Sequence, residues 1–442
     1  MKSFAELPLI EPLQRAVREE GYTVPTPIQA QSIPHLLEGR DLLGCAQTGT
    51  GKTAAFILPM LQKLWQDRKV VQRGTPRALI LAPTRELAAQ IGQSIRAYGK
   101  HLRITSTVIF GGVSQHHQVI ALNHGIEILV ATTGRLLDLM GQRYINLNAV
   151  EILVLDEADR MLDMGFIRDI QKIIPKLPAH RQSLFFSATL EPAVIALART
   201  LVHDPVHITV TPEEAAVDRI EQCVYFVDKE RKDALLTELL RSPAIKRVIV
   251  FTQMKHVANN VTKTLNHAGI RADAIHGNKR QAARTKALES FRRGTVRVLV
   301  ATDIAARGID IDDITHIINY ELPHEPETYV HRIGRTARAS AEGDAISFCS
   351  ASERDYLRAI EKFIHHQITI VQDQPYHSMA AMNAVGESAR PPHKGTYGKW
   401  GRNRSHGGGR HSHRGNSQGH GGFNRSSHRS SSPNRSQGYR RQ

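Results

Sequence analysis

The stretch that organises the chain is Ala46-Gln47-Thr48-Gly49-Thr50-Gly51-Lys52-Thr53. It follows an apolar run at residues 42–45 and leads into a helical pattern. A strand, a glycine-bearing turn, Gly-Lys-Thr and a helix are together typical of a phosphate-binding loop, because glycines let backbone N–H groups turn towards a phosphate chain. Lys52 is expected to reach the β- and γ-phosphates, and the Thr53 hydroxyl to bind Mg²⁺. Ala46 stands where the general pattern has glycine, so this stretch alone could also be an ordinary polar strand-to-helix turn.

Short apolar runs alternate with helical patterns along most of the chain. This alternation is typical of parallel strands covered by helices, so an α/β fold is predicted. The strands predicted in the first half are 41–45, 78–82, 105–110, 126–131, 152–155, 183–187 and 206–210. Those predicted in the second half are 223–227, 248–252, 272–276, 296–301, 316–320 and 345–349. The tetrapeptide Leu-Val-Ala-Thr occurs in each half, at 129–132 and 299–302, which hints that the halves are related.

Length and charge divide the chain into a body and a tail. At 442 residues it is too long for one ordinary core and suggests two or three domains. All 42 Asp and Glu lie at or before Glu387, whereas 12 of the 58 Lys and Arg follow it. The net charge of +16 therefore divides into +4 for the body and +12 for the tail, which predicts a polyanionic partner.

Residues 374–442 are predicted to be a disordered basic tail. Gly, Ser, Arg, His and Asn dominate most of this segment, and they cannot bury enough apolar surface to offset chain entropy. Arginines interleaved with aromatic residues, without an acid beyond Glu387, favour contact with nucleic acid. An inert, solubilising tail is the alternative interpretation.

Cysteine usage and hydropathy indicate the compartment. The three cysteines, Cys45, Cys223 and Cys349, are widely spaced, so they are predicted to be buried thiols of a reducing compartment. The N-terminus lacks an apolar signal region, and no apolar run approaches the roughly 18 residues of a membrane span. A soluble, cytoplasmic protein without membrane association is therefore predicted.

The sequence Asp156-Glu157-Ala158-Asp159 directly follows the predicted strand at 152–155. Carboxylates at the C-terminal end of a buried parallel strand lie where open α/β sheets bind their ligands. Asp156 is expected to hold Mg²⁺ through its water shell, and Glu157 to orient and deprotonate the attacking water. A chance acidic turn would explain these four residues in isolation, but not together with the loop at 46–53.

The loop and this acidic tetrapeptide together resemble the DEAD-box family of ATP-dependent RNA helicases, and the resemblance covers about residues 4–365. The further motifs stand in the family's order, at 21–29, 83–88, 111–112, 132–135, 187–189, 250–253, 276–284, 301–303, 307–310 and 331–338. Thr133 replaces a usual proline, and Ala337 a common glycine. Within the family, the chain most resembles the bacterial RhlE-type branch.

The resemblance implies two tandem RecA-like parallel-sheet domains and a disordered basic C-terminal tail. The implied boundaries are a Q-motif region at 1–40, a first domain at 41–210, a linker at 211–219, a second domain at 220–373 and the tail at 374–442. By the family's roles, the cofactors are ATP and Mg²⁺, and the partner is structured or duplex RNA, bound largely independently of its sequence. Ribosomal precursors and RNA-decay assemblies are the settings that the family suggests.

Site residues follow from the resemblance position by position. Gln29 would read the adenine edge, since an amide that must both donate and accept rejects guanine. The residues implied for the nucleotide are Tyr22, Gln29, Ala46, Gln47, Thr48, Gly49, Thr50, Gly51, Lys52, Thr53 and, on the ribose, Asp310. Catalysis is assigned to Lys52, Glu157 and the arginine fingers Arg335 and Arg338, and Mg²⁺ to Thr53 and Asp156.

Two further groups of residues are implied by the family's motifs. Those coupling ATP state to RNA binding are Asp159, Ser187, Thr189 and His331. Those contacting RNA are Arg85, Gly112, Thr132, Arg135, Arg284 and Thr302. Because both domains contribute contacts to each of the two ligands, ATP and RNA are expected to bind cooperatively. An ATP-dependent RNA clamp or scaffold, and a DNA helicase of the same superfamily, are the alternatives, and the motif around Gln29 disfavours the second.

Overall fold

Two parallel β-sheets form the framework of the protein. The structure, a computed structural model, describes residues 3–47, 49–210, 220–306, 314–336 and 343–389. In these residues fourteen strands form two sheets of seven, and every strand pair within the sheets is parallel. The predicted α/β architecture of two parallel-sheet halves is therefore confirmed.

The first sheet has the strand order β3-β4-β2-β5-β6-β1-β7. Its strands are β1 (Leu42–Cys45), β2 (Ala78–Leu81), β3 (Ser106–Ile109), β4 (Ile128–Ala131), β5 (Ile152–Leu155), β6 (Gln182–Ser187) and β7 (Val206–Thr209). Its helices are α1 (Glu11–Glu19), α2 (Pro27–Leu37), α3 (Lys52–Gln66), α4 (Arg85–Tyr98), α5 (His116–Asn123), α6 (Thr133–Gly141), α7 (Ala158–Asp163), α8 (Ile167–Ile173) and α9 (Pro192–Ala198).

The second sheet repeats this order as β10-β11-β9-β12-β13-β8-β14. Its strands are β8 (Ile220–Phe226), β9 (Val248–Thr252), β10 (Ala272–Ile275), β11 (Val298–Thr302), β12 (His316–Asn319), β13 (Gly343–Cys349) and β14 (Thr369–Ile370). Its helices are α10 (Lys232–Leu239), α11 (Lys255–His267), α12 (Gln281–Arg292), α13 (Asp303–Ala306), α14 (Pro326–Ile333), α15 (Arg354–Phe363) and α16 (Met379–Met382). The repeated Leu-Val-Ala-Thr falls at the ends of β4 and β11, which occupy equivalent places in the two sheets.

Continuous apolar runs form these strands because helices cover both faces of each sheet. In the first sheet Leu42 packs towards one face and Leu43 towards the other, and both are buried. One face is covered by helices that include α3 and α4, the other by helices that include α6 and α8. In the second sheet Val248 and Ile249 divide in the same way, so each half has its own core on each face.

The C-terminal boundary of the ordered body differs from the prediction. Residues 374–389, expected to belong to the disordered tail, pack on the second half and include α16. Ser378 Oγ donates to Asp228 Oδ1 over 2.5 Å, and Arg354 Nε donates to Met382 O over 3.2 Å. Ala381 and Ala389 are fully buried. Tyr376 and Met382 also pack against the cores of the second half, so a few apolar residues join this segment to it, which composition alone did not reveal.

Some sequence predictions lie outside the described residues. They include the linker at 211–219, the site residues Thr48, Asp310 and Arg338, and the tail from residue 390 onwards. Of the three cysteines, Cys349 is buried, whereas Cys45 and Cys223 are only partly buried, which corrects the expectation for those two. Burial raises the pKa of all three thiols. In the described part of the chain, no helix has both the length and the apolarity needed to cross a membrane.

Candidate nucleotide and RNA site

Three neighbouring strands bring the central motifs together. In the order β5-β6-β1, each strand ends at the same edge of the first sheet. The loop at 46–51 follows β1, the segment 187–189 ends β6, and Asp156 follows β5. Cys45 is paired with Ser187 in the sheet register, so the first two segments begin side by side. Residues more than 100 positions apart in sequence therefore meet at one edge, where α/β sheets bind ligands.

The glycine-bearing loop has the backbone that its residues predict. Gly49 and Gly51 have positive φ angles of 86° and 91°, a region that favours glycine. The helix α3 begins at Lys52. The buried Lys52 ammonium lies within the loop, where Nζ donates to Ala46 O over 2.8 Å. Thr50 Oγ1 donates to Gln47 O over 2.7 Å, which ties the turn to its start. Thr48 lies outside the described residues.

Gln29 joins the N-terminal region to this loop. Its Nε2 donates to Gly51 O over 3.1 Å, and its Oε1 accepts from Thr26 N over 2.9 Å. A β-carbon at position 51 would come within 2.4 Å of Gln29 Nε2, so the close approach requires glycine. A glutamine amide has two N–H donors and two acceptor lone pairs. One donor and one lone pair of Gln29 therefore remain for a ligand.

Aromatic residues line the open end beyond Gln29. The rings of Phe4 and Tyr22 stack with centroids 5.9 Å apart and planes at 25°. The hydroxyls of Tyr22 and Tyr98 lie 3.0 Å apart, and burial is the main cause that raises the pKa of Tyr98. Tyr22 is 39% exposed, so part of its surface faces the solvent-filled cleft. Phe4 and Tyr98 thus contact Tyr22 and restrict the orientation of its ring.

Asp156 lies deep at the end of β5. It is 2% exposed, and burial raises the pKa of its carboxyl to about 6, against the opposing effect of the Lys52 charge. Its Oδ1 is buried without a hydrogen-bond partner among the described residues. A buried carboxylate oxygen without a partner is unfavourable unless a cation or water meets it. Together with Thr53 at the first turn of α3, this donor set fits a hard cation such as Mg²⁺.

Glu157 occupies a strained position at the start of α7. Its φ of 55° and ψ of 53° lie in the left-handed region, which non-glycine residues adopt at a cost. Its carboxylate is buried and accepts a short hydrogen bond from Arg160 Nη1. Such strain persists only where surrounding contacts hold it, and it is concentrated at functional sites.

The segment 187–189 is hydrogen-bonded to Asp159. Asp159 N donates to Ser187 Oγ over 3.3 Å, and Ala188 N donates to Asp159 Oδ2 over 3.1 Å. Thr189 N donates to Ser187 Oγ over 3.4 Å. The first turn of α7 and the end of β6 are therefore linked by a reciprocal pair of bonds, through which a shift of one segment would displace the other.

Residues of the second half face these acidic groups. Arg335 is buried and donates Nε to His331 O over 3.2 Å at the end of α14. Both side chains line a small cavity of about 40 Å³ together with Gln47, Glu157 and Asp159. Arg335 also lines the main cleft, whereas Arg338 and Asp310 lie outside the described residues.

The main cleft is a cavity of about 530 Å³. That volume is within the usual range of roughly 300–1,000 Å³ for small-molecule sites. Its lining runs from Tyr22 and Gln29 at one end to Asp156, Glu157 and Arg335 at the other. Gly49, Gly51, Lys52 and Thr53 line it between them, and Gln90, Gln93, Ser94 and Arg292 add polar groups that the sequence did not single out.

The predicted RNA-contacting residues form a second group. Arg85 packs on Gly112, where a β-carbon would come within 2.1 Å of its Nη1 and where φ is 76°. Arg135 donates Nη1 to Gln118 Oε1 and Nη2 to Val113 O, each over 3.0 Å. Thr132 precedes the first residue of α6. Arginine, glycine and a helix start in one place suit contact with phosphate groups.

Contacts between α4 and α12 join the two halves near Arg85. Arg284 Nη2 and Glu86 Oε2 form a buried ion pair of 2.8 Å. Gln281 Nε2 donates to Glu86 Oε1 over 2.9 Å, and Arg85 Nη1 donates to Gln281 Oε1 over 3.3 Å. Thr302 ends β11 in the second half. Arg85 and Arg284, both implied as RNA contacts by the family's motifs, are thus linked through Glu86 and Gln281.

Besides the polar residues that line the cleft, Arg160, Arg332 and Glu86 were not assigned a role from the sequence. Arg160 is three residues from Glu157, a spacing that brings helical side chains together and could have indicated the pair. Arg332, in the last turn of α14, donates two hydrogen bonds of 2.6 and 2.8 Å to the Asp303 carboxylate. Glu86 pairs with a residue 195 or more positions away, for which no local signal exists.

Comparison with known proteins agrees with this arrangement. A family model described as DEAD/DEAH box helicase matches residues 26–197, and one described as helicase conserved C-terminal domain matches residues 231–340. The chain is 42% identical to the DEAD-box ATP-dependent RNA helicase CshA of Bacillus cereus over 362 residues, which cover 82% of this chain and 68% of that protein. It is 44% identical to the ATP-dependent RNA helicase SrmB of Escherichia coli over 368 residues, 83% of each chain. The solved structure of S. cerevisiae Dbp5 bound to RNA and ADP BeF3 matches with a TM-score of 0.75 and 34% identity, over 84% of this chain and 96% of that one.

Proposed function

The chain belongs to the DEAD-box family of ATP-dependent RNA helicases, and from this premise we propose how its own residues bind ATP and RNA and hydrolyse ATP. The protein is an RNA-stimulated ATPase that couples hydrolysis to local unwinding or remodelling of RNA. The observation that carries the residue-level proposal is the composite cleft. One cavity is lined by groups that suit the adenine ring, the phosphates and the catalytic chemistry, and Arg335 of the second half completes it.

ATP enters the cleft with its adenine at the aromatic end. The remaining donor and lone pair of Gln29 contact the adenine edge, and Tyr22 packs on the ring. The loop at 46–53 surrounds the phosphates with backbone N–H groups. Lys52 Nζ, now on Ala46 O, exchanges that carbonyl for phosphate oxygens, which gain more from its charge. Asp310 is proposed to contact the ribose.

Asp156 and Thr53 would hold Mg²⁺. The buried Oδ1 of Asp156 would gain a partner directly or through a coordinated water, and the Thr53 hydroxyl would approach from the start of α3. When bound, Mg²⁺ neutralises charge on the β- and γ-phosphate oxygens. The positive charge of the ion would also favour the ionised form of Asp156 despite its burial, because an opposite charge nearby stabilises a carboxylate.

Hydrolysis uses groups from both halves. Glu157 orients a water and accepts its proton, while Lys52 holds the phosphate that is attacked. Arg335, and with it Arg338, stabilises the charge that develops on the γ-phosphate. An arginine of this kind contributes about 10³–10⁵ in rate in related phosphoryl-transfer sites. Hydrolysis is therefore slow until the second half closes on the nucleotide.

RNA binds across both halves at Arg85, Gly112, Thr132 and Arg135 on one side and Arg284 and Thr302 on the other. Asp159, Ser187, Thr189 and His331 couple this surface to the nucleotide, supported by the bonds between Asp159 and the segment 187–189. If closure improves RNA binding, RNA must favour closure by the same factor. The RNA target is proposed to be structured or duplex RNA, in ribosomal precursors or RNA decay, and the location to be the cytoplasm.

Two substitutions test the residue assignments. Lys52→Ala and Glu157→Gln should each abolish RNA-stimulated ATP hydrolysis, since one removes phosphate binding and the other the base. Glu157→Gln should retain ATP-dependent RNA binding, because the amide leaves the closed state intact. Steady-state phosphate release and fluorescence anisotropy with labelled RNA measure the two properties.

Matched controls are the exposed Lys172→Ala and Glu191→Gln in the same half, which should behave as the unmodified protein. Turnover near the unmodified rate in Glu157→Gln would refute the assignment of Glu157 as general base. The rates of RNA strand displacement and of protein dissociation from RNA, measured in the same assay, distinguish a helicase from a clamp whose unwinding is incidental.

A further inference from the structure

The partner of the Glu157 carboxylate is the guanidinium of Arg160. The contact joins Glu157 Oε2 to Arg160 Nη1, and both side chains are at least nine-tenths buried. Arg160 N also donates to Asp159 Oδ1 over 2.9 Å within α7, which fixes the backbone that carries this side chain.

This contact opposes the work proposed for Glu157. A general base must direct a lone pair to the attacking water and then accept its proton. A hydrogen bond from a guanidinium is roughly twice as strong as a neutral one, so it occupies Glu157 Oε2 and fixes the orientation of the carboxylate. Because the pair is buried, solvent does not replace the bond when it breaks. Glu157 is therefore held in an arrangement that resists proton transfer.

Arg160 lies where closure of the two halves would act on it. It lines the cavity of about 40 Å³ with His331 and Arg335 of the second half. It also lines a smaller one of about 10 Å³ with Asp303, whose carboxylate already binds Arg332. An ionised carboxylate has about four lone-pair positions, so Asp303 retains acceptor capacity beyond its two bonds to Arg332. A second acceptor thus faces the guanidinium from across the interface.

We propose that Arg160 is a positioning residue that holds Glu157 back when RNA is absent. The halves already meet here while Arg160 still binds Glu157, so the exchange belongs to the binding of ATP and RNA: Arg160 then passes from Glu157 to Asp303, and the freed carboxylate turns to the water. RNA stimulation of ATP hydrolysis then arises partly from this exchange. The inference rests on the proposed role of Glu157 as general base and adds the residue that regulates it.

The test compares ATP hydrolysis by the full-length protein with and without single-stranded RNA. Arg160→Met removes the charge but keeps an apolar stem for packing. It should raise the RNA-independent kcat by about tenfold, the equivalent of one charge-assisted hydrogen bond, with the KM for ATP little changed. The ratio of RNA-stimulated to RNA-independent rates should fall accordingly. Arg160→Lys, which keeps a cation one turn from Glu157, should restore much of the ratio.

Controls separate this proposal from the assignment of the base. The exposed Arg168→Gln, on α8, should leave both rates unchanged. The double variant Glu157→Gln/Arg160→Met should be inactive, which would show that the raised rate needs Glu157. If Glu157→Gln alone retains turnover, the general-base assignment fails, whatever Arg160 does.

Other results would contradict the regulatory role of Arg160. An inactive Glu157→Gln combined with an unchanged or lower RNA-independent rate in Arg160→Met would overturn it. Loss of folding in Arg160→Met, seen in its melting curve, together with an unaltered ratio in a folded Arg160→Gln, would also overturn it. In those cases the pair would serve only to stabilise α7.

Discussion

Asp156 combines two properties that separate a functional carboxylate from a structural one. It is almost fully buried, and one of its oxygens has no hydrogen-bond partner among the described residues. A structural role would favour a satisfied carboxylate, since each unsatisfied buried group destabilises the fold. The chain tolerates this cost at the place where a cation and phosphates are proposed to bind.

This burial makes a prediction about pH. In the folded chain without ligand, the pKa of Asp156 is raised from 3.8 to about 6, so the folded state binds the proton more tightly than the unfolded state. Stability contributed by this group therefore decreases as pH rises through that interval and stays lower above it. Replacing Asp156 by Asn removes the effect. The melting temperature of Asp156→Asn relative to the unmodified protein should thus be higher at pH 7 than at pH 4.5.

Calorimetry without nucleotide or metal measures this difference. The exposed Asp373→Asn is the control and should show no such change with pH. Adding Mg²⁺ and ATP should stabilise the unmodified protein more than the variant, because a ligand stabilises the state that binds it. A relative melting temperature that is the same at both pH values would contradict the burial of an unpaired carboxylate here.

Helices α4 and α12 make the contact that links the halves on the RNA side. Glu86 accepts from both Gln281 and Arg284, and its side chain is almost fully buried. Burial lowers the pKa of Arg284, which reflects the cost of enclosing its charge. Removing one partner of a buried pair leaves the other charge uncompensated, so the contact should favour closure only while complete.

We expect Glu86→Gln and Arg284→Met each to weaken RNA binding in the presence of a non-hydrolysable ATP analogue. Because the two side chains touch, their effects should not add, and the coupling should be about 1–3 kcal/mol. Fluorescence anisotropy on the two single variants and the double variant measures it. Lys286→Met, exposed on the same helix, is the control. Additive effects would mean that the pair has no part in closure.

The described residues extend to Ala389, and the basic part of the sequence follows them. The fold reaches Ala389, and all 12 Lys and Arg beyond Glu387 lie after that residue. Truncation should therefore separate two properties, stability of the second half and affinity for RNA phosphates. The sequence placed the boundary at residue 374, where both would be removed together.

A chain ending at Ala389 should keep the melting temperature of the full chain but lose salt-sensitive RNA binding. Each phosphate contact on single-stranded RNA contributes about −0.7 to the slope of log affinity against log salt, so the slope should become clearly shallower. A chain ending at Gln374 should in addition melt at lower temperature, because it loses Ser378 and the buried Ala381. An unchanged salt slope after truncation at Ala389 would favour an inert tail.

Local sequence determined much of the fold and of the candidate site. All thirteen strands predicted from apolar runs correspond to strands of the two sheets, since a strand covered on both faces needs a continuous apolar run. Gly49, Gly51 and the acidic residues after β5 could also be identified from the local sequence. Their chemistry is carried by residue type and spacing within a few positions, which sequence displays directly.

Contacts between distant segments were decided only by the tertiary structure. Examples are the strand order, the approach of Arg335 to Glu157, and the link between Arg85 and Gln281, which are 196 positions apart. The packing of residues 374–389 and the short strand β14 belong to the same class. Their energies arise from burial and charge at interfaces that exist only once both sheets have formed. The sequence alone therefore determined which groups could act on a phosphate chain, and the tertiary structure decided which of them face it together and that Arg160 holds the Glu157 carboxylate.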